Sequence, residues 1–140
     1  MKYLIDTCVL SECTKKEPDD FVVNWINQQQ AENLFLSILT IAEIKSGIHK
    51  IRNSQPQRST KLKHWLDGIE IKFSSRILPV SEQVLNNWSE ITADAALQGQ
   101  KMQVMDSLIA ATAYTHKLIL VTRNVDDFKI APIEIFNPYK

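Results

Sequence analysis

The stretch MDSLIAATAYTHKLILVTRNVDDF, Met105 to Phe128, decides the fold. Its helical part extends back to Val104 and runs to His116; it is rich in Ala, which loses least on entering a helix. Leu118 to Thr122 is then a compact apolar run of the kind buried on both faces, as a central parallel strand must be. Asn124, Asp126 and Asp127 form a turn after it. A helix leading straight into a buried strand is the unit from which parallel α/β sheets are built.

Working outward, the same alternation recurs. Lys2 to Ile5 reads as a short buried strand with Asp6-Thr7 at its carboxyl end. Asp19 and Asp20 precede Phe21, Val22, Trp25 and Ile26 at helical spacing, which predicts a capped helix to about Gln30. Leu34 to Ser37 is a second strand. Ile38 to Lys50 is a helix with Thr40 as a candidate cap and Glu43 three residues on, a capping-box pattern. A polar loop through Pro56 leads to a long amphipathic helix carrying Leu62, Trp65, Leu66, Ile69 and Phe73. Ile77 to Val80 is a strand, Ser81 and Glu82 open a helix to Leu97, and Ile133 to Phe136 closes the sheet. The expected architecture is one α/β/α sandwich over residues 1–140 with a central, mainly parallel sheet, whose ligand site lies beyond the carboxyl ends of the strands.

Asp6 and the turn after Thr122 both fall at that end, and two further acids occupy suggestive places. Glu43 sits on a helix, and Asp106 stands between Met105 and Leu108 on an otherwise apolar one. Each acid has an ordinary structural role open to it: Asp6 could end a strand, Glu43 complete a capping box, Asp106 favour a helix N-terminus, and Asp127 sit in a turn. A carboxylate on a core-side face is nevertheless costly unless it is paired or holds a cation. Several carboxylates suit a hard divalent ion that engages phosphate oxygens, which makes phosphodiester hydrolysis by water the chemistry to test.

The bulk properties agree with a folded chain. Hydrophobic residues make up 44% and charged residues 23% of its 140 residues, with zero formal net charge. The zero hides an asymmetry, because Lys45 to Arg76 alone carries a net +6. Such a segment is either a solvated face or a track for a polyanion. Lys45, Lys50 and Arg52, with Arg123 further on, are the candidate contacts to such a polyanion. Cys8 and Cys13 lack partners for a zinc site or a disulfide framework and are expected to be free thiols. MKYLIDTCVL does not fit a signal peptide, and no apolar run approaches a membrane span, so the expected location is the cytoplasm.

The segments LIDTCVLSE (Leu4 to Glu12), LTIAEIKSGI (Leu39 to Ile48) and Met105 to Phe128 together resemble the PIN-domain toxins of the VapC and FitB type, in order and spacing along the whole chain. The resemblance implies a Mg²⁺- or Mn²⁺-dependent endoribonuclease that homodimerises and is neutralised by a small antitoxin protein. It makes Asp6, Glu43, Asp106 and Asp127 the catalytic and metal-holding acids, with Asp126 a stand-in for the last. Thr7 and Thr122 match positions near the metal, and Asn124 a position that orients the cluster. One departure is Gly99-Gln100-Lys101, where many relatives carry Gly-Arg-Pro.

Other readings compete. A metal-free ribonuclease would use paired acid and base groups, for which His49, His64 and His116 are available but lack a supporting constellation. An aspartyl-nucleophile phosphatase would suit Asp6-Thr7, but many such enzymes place a second acid where this chain has Cys8. A phosphorylated receiver domain has no use for an acid in the Glu43 helix. A non-catalytic PIN-like module would bind RNA or a partner without cutting. Apolar positions flanking Trp25 and Trp65 could serve an antitoxin or simply pack the core.

Overall fold

The computed structural model describes residues 1–139. The chain runs β1 (Tyr3–Ile5), α1 (Thr7–Glu12), α2 (Asp20–Gln28), β2 (Leu34–Ser37), α3 (Ile38–Lys50), α4 (Pro56–Lys72), β3 (Ile77–Leu78), α5 (Glu82–Leu97), α6 (Val104–His116), β4 (Ile119–Val121), α7 (Val125–Phe128) and β5 (Ile135–Phe136). The strands form one sheet in the order β3-β2-β1-β4-β5, and every neighbouring pair is parallel. This is the parallel α/β architecture that the alternation of elements predicts.

Successive residues of a strand point to opposite faces, and here both faces are covered. Leu4 and Leu120 pack with Val84 and Ile91 of α5, Ile109 and the small Ala110 and Ala113 of α6, and Phe128. Ile5, Val121 and Leu36 pack on the other side with Val9, Val22, Ile41 and Leu66, contributed by α1 to α4. The alanines of α6 let that helix lie close against α5 and the sheet. Double coverage is why the strands read as unbroken apolar runs rather than as alternating ones.

The order of strands fixes where a ligand can go. From β1 the chain moves outward to β2 and β3, then returns to the other side of β1 for β4 and β5. The reversal lies between β1 and β4, and in open parallel sheets the loops diverge there and leave a crevice beyond the strand ends. Asp6 follows β1, and Thr122 follows β4.

Several local expectations are corrected. Helix α3 begins directly after β2, so its cap is the last strand residue, Ser37, whose Oγ accepts from the Leu39 N–H at 3.0 Å. Thr40 lies inside the helix, almost fully buried, and caps nothing. The Asn124 to Asp127 turn closes into the single-turn helix α7. Helix α1 is additional, since the six residues after Asp6 are too few to show a period. Strand β2 has the expected bounds, whereas β1, β3, β4 and β5 are shorter than their apolar runs and α2 ends at Gln28 rather than Gln30. The caps Asp19 and Ser81 are as expected, accepting from the N–H groups of Val22 and Val84 at 3.2 Å each.

Helix α5 ends at Gly99, whose φ of 73° lies in the left-handed region that glycine enters without steric cost. Helix α6 ends at Lys117 with φ 56°, and the Leu118 N–H closes back on the Ala113 carbonyl at 2.9 Å. That is the bond of a Schellman stop. No helix among the described residues is long and apolar enough to cross a membrane.

Phe128 is fully buried under α6, so it ties α7 and the strand-end rim to the core. Phe128→Ala is expected to lower unfolding free energy by about 3–5 kcal/mol, as large-to-small core changes do. Denaturant titration checks this, and a loss under about 1 kcal/mol would mean the rim does not depend on the core.

Candidate metal centre at the strand ends

Asp6 is the centre of the site. It is only 6% exposed, and its backbone N–H continues the β1–β4 pairing by donating to the Val121 carbonyl at 2.9 Å. Its carboxylate is held from several sides. The Thr7 N–H donates to Oδ1 at 2.8 Å, Thr122 Oγ1 donates to Oδ2 at 2.7 Å, and the Cys8 thiol lies 3.7 Å from Oδ2. Thr122 is in turn fixed by the Asn124 N–H, which donates to its Oγ1 at 3.0 Å. Asn124 therefore supports the cluster through its main chain, while its side chain is exposed at the rim.

Thr7 carries the connection to α3. Its hydroxyl donates to Glu43 Oε1 at 2.7 Å and stands 3.1 Å from Thr40 Oγ1. Glu43 is thus turned towards β1. Asp106 occupies the first turn of α6, which is anchored by Ser107: its hydroxyl accepts from Trp88 Nε1 at 2.8 Å and donates to the Val104 carbonyl. Asp106, Asp126 and Asp127 line an open depression of about 550 Å³ with the Gln100–Gln103 segment.

Electrostatics shows that the four acids share one region. Burial first, and then the charges of Asp6, Asp127 and Glu43, together push the Asp106 carboxyl up to about 6. Burial likewise raises Asp6 above its ordinary value, with Asp127 adding to the effect against the hydrogen bonds of Thr122, Thr7 and Cys8. Of the two adjacent acids on α7, Asp127 is the one whose charge acts on Asp106 and Asp6. Asp126 is strongly exposed and pairs with Lys129 at 3.2 Å. Among the described residues, no three His, Cys, Asp or Glu side chains are drawn together as a ready metal-ligand set. The carboxylates are thus near enough for their charges to act on one another without being drawn into a ligand set. Oxygen donors of this kind suit Mg²⁺ or Mn²⁺ rather than a soft metal, and a divalent ion would relieve the repulsion.

The basic candidates are not part of this cluster. Lys45 pairs with Glu70 of α4 at 3.4 Å. Lys50 stands seven residues from Glu43, two helical turns along the same face. Lys45, Lys50 and Arg52 line a shallow groove of about 540 Å³ with Ala42, Ser46 and His49. Arg123 lies at the rim, over the ring of Tyr139. All three histidines are exposed, and Cys8 and Cys13 are free thiols. Trp25 is half-buried against Tyr3 and Phe136, with ring centroids 5.0 and 5.3 Å away.

Sequence reasoning passed over Cys8 as a donor to Asp6, Thr40 as a neighbour of Thr7, and the buried Glu12 with its partner Tyr139. For Thr40 the available signal was the Thr40-x-x-Glu43 spacing, which reads as a cap only while the helix start is unknown.

An all-parallel α/β sheet here carries a buried acid, Asp6, at its switch point, with the charges of Glu43, Asp106 and Asp127 close by. The chain belongs to the PIN-domain family, whose model matches residues 3–133. It is 32% identical to Toxin FitB of Neisseria gonorrhoeae over 136 residues, 97% of each chain. It is 33% identical to VapC ribonuclease Y4jK of Sinorhizobium fredii over 138 residues, 98% of this chain and 97% of that protein. Among solved structures it superposes on the FitAcB crystal structure from Neisseria gonorrhoeae with a TM-score of 0.92, at 33% identity and 97% coverage of both chains.

The raised Asp106 predicts a pH-dependent stability in the presence of EDTA. The unfolded carboxyl titrates near 3.8 and the folded one near 6. The folded state therefore binds the proton more tightly, and the penalty is fully present above 6 and absent below 3.8. Asp106→Asn should gain up to about 1 kcal/mol at pH 7.5, after discounting for solvent screening, and lose that gain towards pH 4. Thermal unfolding across pH measures it; a variant less stable than wild type at pH 7.5 would contradict mutual repulsion.

Proposed function

We propose that this chain is a Mg²⁺- or Mn²⁺-dependent endoribonuclease, the toxin of a type II toxin–antitoxin pair. The observation that carries the reading is the convergence of Asp6, Glu43, Asp106 and Asp127 at the switch point between β1 and β4, in a chain about one third identical to proteins named toxin and ribonuclease along nearly its whole length.

In this reading Asp6, Glu43 and Asp106 hold the principal ion, and Asp127 completes the site or recruits a second ion with substrate. When bound, the ion lowers the pKa of a water and offsets negative charge gathering on the attacked phosphate. The protein's own residues do the positioning. Thr122 and the Thr7 N–H occupy the sides of Asp6 and orient its carboxylate, and the Thr7 hydroxyl steers Glu43. The sheet ends form a rigid base, as a site requiring precise geometry needs. Water attacks in line, the bridging 3′ oxygen departs, and the products carry a 5′-phosphate and a 3′-hydroxyl. The 2′-hydroxyl takes no part, so no histidine base is needed.

The substrate is RNA, whose phosphates meet basic residues such as Lys50, Arg52 and Arg123. The partner is a small antitoxin protein, and the active form a homodimer. The cytoplasm is the compartment where such a target is met.

A labelled RNA panel incubated with Mg²⁺, Mn²⁺ or EDTA tests the chemistry. Cleavage should require the metal and leave 5′-phosphate ends. Asp6→Asn and Asp106→Asn should each lower the rate at least about 100-fold while remaining folded, the scale on which loss of transition-state charge stabilisation is felt. Products ending in 2′,3′-cyclic phosphate would transfer the chemistry to histidine, and RNA binding without cutting would make the chain a non-catalytic module.

A further inference from the structure

Arg123 stands between two residues that the site fixes. Thr122 before it donates to Asp6, and the Asn124 N–H after it donates to Thr122. The backbone of Arg123 is thereby held at the edge of the acidic cluster. With Asn124, Asp126, Asp127 and Asn137 its side chain lines an open depression of about 360 Å³ beside the acids. Among the described residues no carboxylate pairs with it. Its guanidinium instead lies over the Tyr139 ring, with Cζ 5.0 Å from the centroid. A guanidinium resting on an aromatic face keeps its N–H edge free, and that edge matches two phosphate oxygens.

The ring is itself held by a buried anchor. Tyr139 Oη lies 2.9 Å from Glu12 Oε1 and 3.2 Å from the Cys8 carbonyl, and the Tyr139 N–H donates to Asn137 Oδ1 at 2.9 Å. Glu12 is 4% exposed and also accepts from Lys15 at 3.0 Å and from the Asp19 N–H at 3.0 Å. Burial alone would raise the Glu12 carboxyl, but these donors hold it below its ordinary value and therefore ionised. Burial and the Glu12 carboxylate keep the Tyr139 phenol protonated, as a donor. The segment after β5 is in this way fastened to α1, the helix that begins beside Asp6.

We propose that Tyr139 is a positioning residue that holds Arg123 at the rim of the acidic cluster, where the guanidinium grips a phosphate of the RNA strand next to the one being cut. The inference rests on the ribonuclease reading above and adds to it a specific contact and its support. Within that reading it answers how a polyanion is held at a rim lined with carboxylates, while Lys45 is engaged with Glu70.

The test is binding of a labelled single-stranded RNA to protein carrying Asp6→Asn, across a range of salt, with Arg123→Ala, Tyr139→Leu, their combination and Tyr139→Phe added. Arg123→Ala should weaken binding about 5- to 10-fold and reduce the slope of log affinity against log salt by about 0.7, the value for one phosphate contact on a single strand. Tyr139→Leu should weaken binding in the same direction, and the double variant should bind no worse than Arg123→Ala. Tyr139→Phe, which keeps the ring but loses its bonds to Glu12 and the Cys8 carbonyl, should bind between wild type and Tyr139→Leu. Independent, additive losses would show that Tyr139 acts on the fold at large, and an unchanged salt slope in Arg123→Ala would remove the phosphate contact. Both overturn the proposal.

Should Tyr139→Leu fail to fold, the ring-current shift of the Arg123 side-chain protons in the NMR spectrum decides the stacking. It is expected in wild type and in Tyr139→Phe, and its absence overturns the proposal. In the wild-type background Arg123→Ala should raise KM with kcat little changed. Wild-type protein that cuts RNA while Arg123→Ala cuts it equally well sinks this inference alone. Wild-type protein that cuts no RNA under any metal sinks the ribonuclease reading.

Discussion

The hydrogen bond from Thr122 to Asp6 joins the two strands between which the sheet reverses direction, and the rest of the site is arranged around it. A carboxylate that is 6% exposed carries a desolvation cost of several kcal/mol unless donors surround it. Asp6 has a hydroxyl, a backbone N–H and a thiol, and its carboxyl nevertheless remains raised, so burial and neighbouring charge outweigh the donors. Charge-assisted bonds of this kind contribute about 1.5–3 kcal/mol each, which orients the carboxylate without satisfying it.

The remaining acids reach the same region by separate routes. Glu43 comes on α3 and is drawn towards β1 by Thr7, Asp106 comes on the first turn of α6, and Asp127 on the single turn of α7. Each helix is fixed by the core, by Ile41, Ile109 and Phe128 respectively, so the acids cannot drift apart to relieve their repulsion. Rigidity here is purchased with stability. Core packing on both faces of the sheet supplies what the charge cluster costs, a division common at functional sites.

How much of this could be read from the chain depends on the range of the interaction. The helix starts at Asp19 and Ser81 were legible because a cap bonds within three residues, and the strands because burial on both faces leaves continuous apolar runs. The four acids were legible as a pattern once their places after strands and on apolar helices were noted. Their convergence was not, since it depends on strand order. Thr40 was misread because local spacing cannot tell a residue at a helix start from one a turn inside. Asp126 and Asp127 are adjacent and chemically equal, and only the direction each leaves α7 separates them, one towards Lys129 and solvent and the other towards Asp106. Tyr139 was silent because its partners, Cys8, Glu12 and Arg123, are far away in sequence.

The basic excess between Lys45 and Arg76 also changes meaning in three dimensions. Arg76 is turned inward, donating to the carbonyls of Ala31, Leu34 and Lys72, and so fastens the start of β2 to the end of α4. Lys45 is neutralised by Glu70. Both charges still add to the long-range field, which falls off within about 8–10 Å at ordinary salt, but neither is free to close on a phosphate. What remains exposed, from Lys50 and Arg52 to Lys63, lies on α3, α4 and the loop between them, where it can attract a strand but not align it with Asp6. Alignment requires a cation rooted in the strand ends themselves, and Arg123 has that root because the residue before it, Thr122, is bonded to Asp6.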